Sequence, residues 1–371
     1  MSAATRIPAI VLGGTGYVSG ELLRLLSSHP HFAIAGILSD SQPGEPVAKS
    51  FRHLAPTLGG LCFRNQAEIG SLVASLPRAA IFGAAPHGVS AALIDALLTR
   101  AAAAGTDAHV VDISADFRYA SAAAYEAVYQ HPHGAPARIR EFTCAVPEQL
   151  ARTPTRHVAH PGCFSTATLL ASVPLLALDL VTPSLFVAGV TGSTGSGRKP
   201  VEGTHHPQRH SDFYAYNALA HRHTPEIAAC AAAASGINAD FAFVPHSGPF
   251  ARGIHVTIQA ALKAPTGRTA PDTAAVLAAL GDYYRDAPFV SVTAEAPHVK
   301  DVAASNYARL SAAANGRSVA VTCSAVQMPW CSQLAMCWLD ILSVARSSIS
   351  PTLLISGTFE QPMPCSIQRT T

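Results

Sequence analysis

The sequence predicts an α/β fold in two parts, a doubly wound, mainly parallel sheet followed by an α+β domain. Three observations point there. Short apolar runs alternate with amphipathic stretches through the first half, the pattern of βα units. Beyond about residue 180 the pattern gives way to alternation of β-branched and polar residues, as in Gly253-Ile254-His255-Val256-Thr257-Ile258-Gln259. The length, 371 residues with 49% hydrophobic, suffices for two cores and a cleft between them.

Taken in order, residues 8–12 are predicted as the first strand, 21–28 as a helix with Leu22, Leu23, Leu25 and Leu26 inward, and 32–38 as the second strand. Strands at 79–83 and 109–113 flank a helix at 89–104. Turn-rich sequence over 113–160 leads to a buried helix at 164–177, and helices at 224–234 and 271–280 interrupt the later strands. The expected division is 1–158, 159–322 and a segment 323–371 of different composition. That segment holds both tryptophans, three of the four methionines and four of the eight cysteines, but only Asp340, Arg346, Glu360 and Arg369 carry charge.

Charge excludes some functions. Twenty-five Lys and Arg against 23 Asp and Glu leave +2, and only 13% of residues are charged, so no basic field exists to hold nucleic acid. Eight cysteines without paired metal-type spacing read as reduced thiols of a cytoplasmic protein, with at most one chemical. Residues 163–178 and 319–339 are apolar, but Pro174 and several Ser/Thr in the first, and Gln327, Pro329 and Gln333 in the second, argue against membrane spans. The histidines His205, His206, His210, His221 and His223 lack companion Cys or carboxylate ligands at metal spacing, so no metal is expected.

The turn after the first strand is Gly13-Gly14-Thr15-Gly16-Tyr17-Val18-Ser19-Gly20, running into the helix. Glycines there permit a tight turn and let N–H groups at the positive helix end approach a pyrophosphate, which predicts a Rossmann-type nucleotide site at Gly13, Thr15, Gly16, Tyr17 and Val18. A turn that merely needs positive φ would use the same letters. Ser39, Asp40 and Ser41 follow the second strand, where a ribose would lie; an acid there favours NAD and serines accommodate NADP, so this reading leaves both open.

His160-Pro161-Gly162-Cys163 closes a turn that places Cys163 in the first positions of an apolar helix, where the dipole and free N–H groups favour thiolate. A buried structural cysteine is the alternative, and it is the reading given to Cys62, Cys144 and Cys230. Acyl transfer needs an acid/base, offered by His221 or His223 in the stretch 220–227, where Thr224-Pro225 reads as a helix start. A second glycine-rich loop, Gly192 to Lys199, includes Gly195, Gly197 and Arg198 and suits a phosphate or the cofactor. Arg252 stands at the mouth of a strand, either as a carboxylate clamp or solvated.

These segments in this order resemble the N-acetyl-gamma-glutamyl-phosphate reductase family, relatives of aspartate-semialdehyde dehydrogenase, over residues 8–322. The resemblance rests on 13–26, Ala85-Pro86-His87-Gly88, Asp112 to Arg118, Pro161-Gly162-Cys163, 221–227 and 245–253. It implies a Rossmann-type domain joined to a catalytic and dimerisation domain, with Cys163 as nucleophile and His221 as acid/base. It also implies NADP(H) at the 13–18 turn, Ser39 and the 195–198 loop. Arg118, Arg198, Arg222, His223 and Glu226 would meet acyl phosphate, phosphate or the substrate carboxylate, in a cytoplasmic homo-oligomer. The implied reaction reduces N-acetyl-gamma-glutamyl phosphate to the semialdehyde through a thioester. Aspartyl or aminoadipyl phosphate is the alternative substrate, and an inactive nucleotide-binding remnant the alternative to an enzyme. Three departures stand out: His160 where the family carries Asn, Ser19 where a third glycine is common, and no family-like ending after Cys323. The last predicts a change of reading frame near residue 323.

Overall fold

The first sheet places its ligand crevice by its strand order. In a computed structural model, which describes residues 6–150, 155–264 and 269–325, it contains β1 (Ile7–Leu12), β2 (Phe32–Ile37), β3 (Arg78–Gly83), β4 (Asp107–Asp112), β5 (Phe142–Cys144) and β6 (His157–Ala159). Their order is β2-β1-β3-β4-β6-β5, all parallel. The chain leaves β1 toward β2 on one side and returns to β3 on the other. The carboxyl ends of β1 and β3 therefore flank a topological switch point, where open α/β sheets bind ligands. The 13–20 turn leaves β1 there.

The predicted helix at 21–28 is Tyr17–Leu26, starting four residues earlier because Gly16, extended at φ −74° and ψ 164°, is its N-cap. A short helix, Gln66–Ala74, was not anticipated, although Asn65 and Glu68 form a reciprocal capping box before it. Helix Ser90–Ala104 covers β3 and β4 and ends at Gly105 with φ +75°.

The second sheet contains β7 (Val181–Thr191), β8 (Tyr214–Ala215), β9 (Asp240–Ser247), β10 (Ile254–Leu262), β11 (Val290–Val292), β12 (Ala308–Ala314) and β13 (Ser318–Ala325). Its order is β11-β12-β13-β10-β7-β9-β8. One face packs helices Cys163–Ala177, Thr224–Ser235 and Thr273–Tyr283 into a single core. The strand alternation sends Phe186, Gln259, Ala261 and Ala313 to the outside, each exposed.

Helix Cys163–Ala177 is buried almost throughout, as its mainly apolar sequence with small Ser and Thr predicts. Pro174 lies inside it and cannot donate to the Leu170 carbonyl four residues back; the Tyr284 hydroxyl donates to that oxygen instead, at 2.6 Å. No helix among the described residues is long and apolar enough to cross a membrane. Cys323 is buried within β13, which pairs with β10 and β12 as far as Ala325. The expected change of reading frame concerns the chain that follows, which lies outside the described residues.

Candidate functional site

The glycine turn is built by close approach. Gly13 has φ +76°, and a Cβ there would lie 2.5 Å from the Ala84 carbonyl oxygen, so only glycine lets the β1 and β3 loops meet. Ser19, wholly buried, donates its hydroxyl to the Gly13 carbonyl at 2.7 Å, so the serine that replaces a glycine ties the turn to the first helical turn. At Gly16 no neighbour explains the missing side chain: a Cβ would meet only Gly13 O at 3.8 Å. Glycine there keeps the helix end open to close approach by a phosphate, so the turn fits a dinucleotide. Ser39, 4% exposed, closes β2 with its hydroxyl 3.3 Å from that of Ser41.

The second domain reaches over this turn. Arg198 donates to the Thr15 carbonyl at 3.0 Å and lies over the Phe51 ring, carried by the loop containing Gly195 and Gly197, the latter at φ +87°. Arg252 pairs with Glu21 and lies over Tyr17; it remains exposed and is held against the first helix.

Cys163 opens its helix behind Gly162, an extended N-cap at φ −61° and ψ 162°. It is half-buried, follows the carboxyl end of β6, and borders the same apolar cluster as Val18 and Ala84. Burial pushes its thiol up, against the opposing pull of Arg118 and of the Phe164 N–H. The sequence led to a thiol lowered by the helix end; here desolvation sets the direction, and the Phe164 N–H of that helix end only opposes it.

Gly162 is fixed by contact. A Cβ on it would lie 2.4 Å from His223 Nε2 and 2.8 Å from an Arg118 guanidinium nitrogen. Its N–H donates to Glu226 Oε1 at 2.6 Å, and Glu226 Oε2 pairs with Arg118 at 3.2 Å. Arg118 also donates to the Ile113 carbonyl at 2.7 Å. Glu226 is 0% exposed and the Arg118 side chain 8%. Both were expected to meet substrate; the structure pairs them with each other beside Gly162. Arg222 is exposed, its guanidinium over the Tyr129 ring and its carbonyl accepting from Tyr119 Oη at 2.9 Å.

His221 sits in an aromatic box of Phe164, Tyr216 and Phe243, which with Arg222 lowers its pKa to about 4. Its Nδ1 accepts the His223 N–H at 3.1 Å, so the neutral ring carries its proton on Nε2. His223 is also buried and held neutral by desolvation. His160, 0% exposed, is pushed down by burial to about 3, while its N–H donates to the Asp112 carbonyl at 2.7 Å.

Two contributions were not assigned from sequence. Tyr216 comes from a loop, and Asp116 caps helix Ser90–Ala104 by accepting from Gly88 N–H at 2.8 Å and Ala91 N–H at 2.9 Å. The latter welds the 85–88 and 112–118 segments into one joint. Cys144 and Cys230 are inward, with sulfurs 3.5 Å apart, whereas Cys62 is exposed and not the structural thiol expected. Among the described residues, no three His, Cys, Asp or Glu gather as a metal site.

Residues 8–142 match the family model described as semialdehyde dehydrogenase, NAD binding domain, and 163–327 match semialdehyde dehydrogenase, dimerisation domain. An N-acetyl-gamma-glutamyl-phosphate reductase of Nitrosococcus oceani is 40% identical over 260 residues, 69% of this chain and 73% of that one. One from Desulforudis audaxviator is 34% identical over 319 residues, 83% and 86% of the two chains. Among solved structures, aspartate semialdehyde dehydrogenase II of Vibrio cholerae shares the fold, with a TM-score of 0.66 and 14% identity over 93% of this chain and 100% of that one.

Proposed function

The chain belongs to the N-acetyl-gamma-glutamyl-phosphate reductase family, nicotinamide-dependent enzymes that reduce an acyl phosphate to a semialdehyde, and from that premise we propose how its residues divide the work. Cys163 is the nucleophile. Its sulfur attacks the acyl carbon as the S–H bond breaks, the acyl C–O bond breaks with its electrons going to phosphate, which carries off the thiol proton, and a thioester remains. The observation that carries this reading is the placing of Cys163 at a helix start, packed on the apolar cluster against which Val18 of the nucleotide turn also packs. When bound, NADPH supplies the hydride that takes the thioester to the aldehyde level. Gly13, Thr15, Gly16, Tyr17 and Val18 would hold its pyrophosphate, with Gly195, Gly197 and Arg198 covering it. Ser39 and Ser41 would take a 2′-phosphate, which favours NADP over NAD.

His221 faces the acyl oxygen. With Nδ1 occupied by the His223 N–H, its Nε2–H is a hydrogen-bond donor to the charge developing on that oxygen, joined by free N–H groups of the first helical turn. Taking the thiol proton at Nε2 would require the ring to give up the His223 bond, so polarisation of the carbonyl is the role this geometry supports best. Arg222, exposed beside the site, is the cation placed to receive the substrate's phosphate or carboxylate.

The outer face of the second sheet, with Phe186 46% exposed, would join a second copy into a homo-oligomer. Unbonded Cys144 and Cys230 accord with a reducing cytoplasm. The test is phosphate-dependent oxidation of N-acetylglutamate semialdehyde by the purified chain, with NADP and NAD in parallel and aspartate semialdehyde as competitor. Preference for NADP and the acetylated aldehyde is expected; faster turnover of aspartate semialdehyde would move the assignment to the related dehydrogenase.

A further inference from the structure

We propose that Glu226, held by Arg118, is a positioning residue that sets the Cys163 turn, and that it does not bind substrate. The proposal rests on Cys163 being the nucleophile. Both carboxylate oxygens are already engaged: Oε1 accepts from Gly162 N–H at 2.6 Å and Oε2 from Arg118 at 3.2 Å, with Glu226 wholly buried. No lone pair of the pair is presented to solvent, where a substrate ligand would have to be.

The electrostatics explain why a carboxylate is used. Helix Cys163–Ala177 begins at Gly162, helix Thr224–Ser235 begins two residues before Glu226, and each presents its positive end there. The Arg118 guanidinium adds a third positive group to the same buried volume. One carboxylate between them offsets part of that positive charge and uses its two oxygens to fix two of the donors in place. The hydrogen bond to Gly162 N–H lies one peptide before the nucleophile, so it fixes the direction in which the Cys163 side chain leaves the turn. The same helix start carries His221 and His223, with His223 packed on the Gly162 α-carbon. Nucleophile and imidazoles are thereby referenced to one carboxylate, although Arg118 and Glu226 stand 108 residues apart in sequence.

Three full-length variants test this: Glu226→Gln, whose amide oxygen still accepts from Gly162, and Glu226→Asp and Glu226→Ala, which withdraw from it. Two measurements are made, kcat and KM for phosphate-dependent semialdehyde oxidation, and the pH dependence of Cys163 alkylation by iodoacetamide without substrate, located by peptide mass spectrometry. The expected result is a fall in kcat of about 10²-fold for Asp and Ala, the usual cost of a misplacement near 1 Å, with KM for aldehyde and phosphate within about threefold. Alkylation of Cys163 should change in the same variants, and Gln should recover kcat to within about tenfold of the parent. A rise in KM with kcat and alkylation unchanged would make Glu226 a substrate ligand and overturn the proposal. A greater loss in Gln than in Asp would overturn it too, since charge and not the Gly162 bond would then matter. Should Glu226→Ala fail to fold, the Gln and Asp pair decides alone. Turnover surviving in Cys163→Ser would instead strike the underlying nucleophile assignment, a separate outcome.

Discussion

Replacing Gly162 by alanine adds one methyl group at the most crowded point of the site. The backbone at φ −61° and ψ 162° is open to any residue, so the substitution acts through contact alone. The new Cβ would sit 2.4 Å from His223 Nε2 and 2.8 Å from Arg118, where unstrained contacts lie near 3.5 Å. Either the His223 ring retreats by about 1 Å or the turn moves with Cys163. Both neighbours are buried, so neither has solvent to retreat into. Overpacking of this kind costs about 1–3 kcal/mol of stability, and a displacement near 1 Å between nucleophile and partner costs on the order of 10²-fold in rate. The assay is phosphate-dependent semialdehyde oxidation together with cofactor titration and thermal unfolding. Turnover should fall by about two orders of magnitude with cofactor affinity unchanged. Gly281→Ala, inside helix Thr273–Tyr283 where a Cβ meets nothing, is the control and should stabilise by about 0.5–1 kcal/mol. Parental turnover in Gly162→Ala would refute the packing argument.

Gly13→Ala should abolish cofactor binding, because positive φ and a contact of 2.5 Å with Ala84 O force the turn apart; fluorescence titration showing parental affinity would contradict this. Acidification should unfold the protein early. Burial holds His157 and His160 at about 3, His221 at about 4 and His223 well below normal, so the unfolded chain takes up their protons first and stability falls as pH drops below about 6.5 toward those values. Asp112 and Glu148, raised by burial to about 6 and about 7, act in the opposite sense and offset two of the four imidazoles. The net is a loss of stability as pH falls from roughly 6 to 4, to be read from melting temperature against pH; a flat profile would mean that these rings are solvated. Tyr284→Phe should cost about 1–3 kcal/mol by leaving the Leu170 carbonyl without a donor at Pro174, measured by urea unfolding, and an unchanged midpoint would deny that bond its role.

The sequence disclosed what is local. Alternating βα units, the glycine turn and Cys163 at a helix start are all patterns within a dozen residues, and each predicted strand of the first sheet falls within two residues of an observed one. Boundaries slipped where glycine obscured them, as at Gly16, whose extended cap starts a helix inside the glycine run. The Gln66–Ala74 helix could have been found from Asn65 and Glu68, which cap it reciprocally. What stayed hidden is non-local. Arg118 and Glu226 looked like groups for substrate because each was read without its partner, and only the fold shows that they pair with each other. The thiol of Cys163 was read from the helix end above it, whereas its burial depends on residues from both domains. His221 offered a titrating ring in sequence, but the His223 N–H that fixes its tautomer is a matter of loop geometry.

The most direct test mixes purified enzyme with N-acetyl-gamma-glutamyl phosphate in the absence of nicotinamide cofactor, quenches in acid and measures intact mass and released phosphate. A single acyl adduct on Cys163 with one phosphate liberated per chain, absent from Cys163→Ser, is the predicted result. No adduct, or an adduct on another residue, would contradict the covalent route.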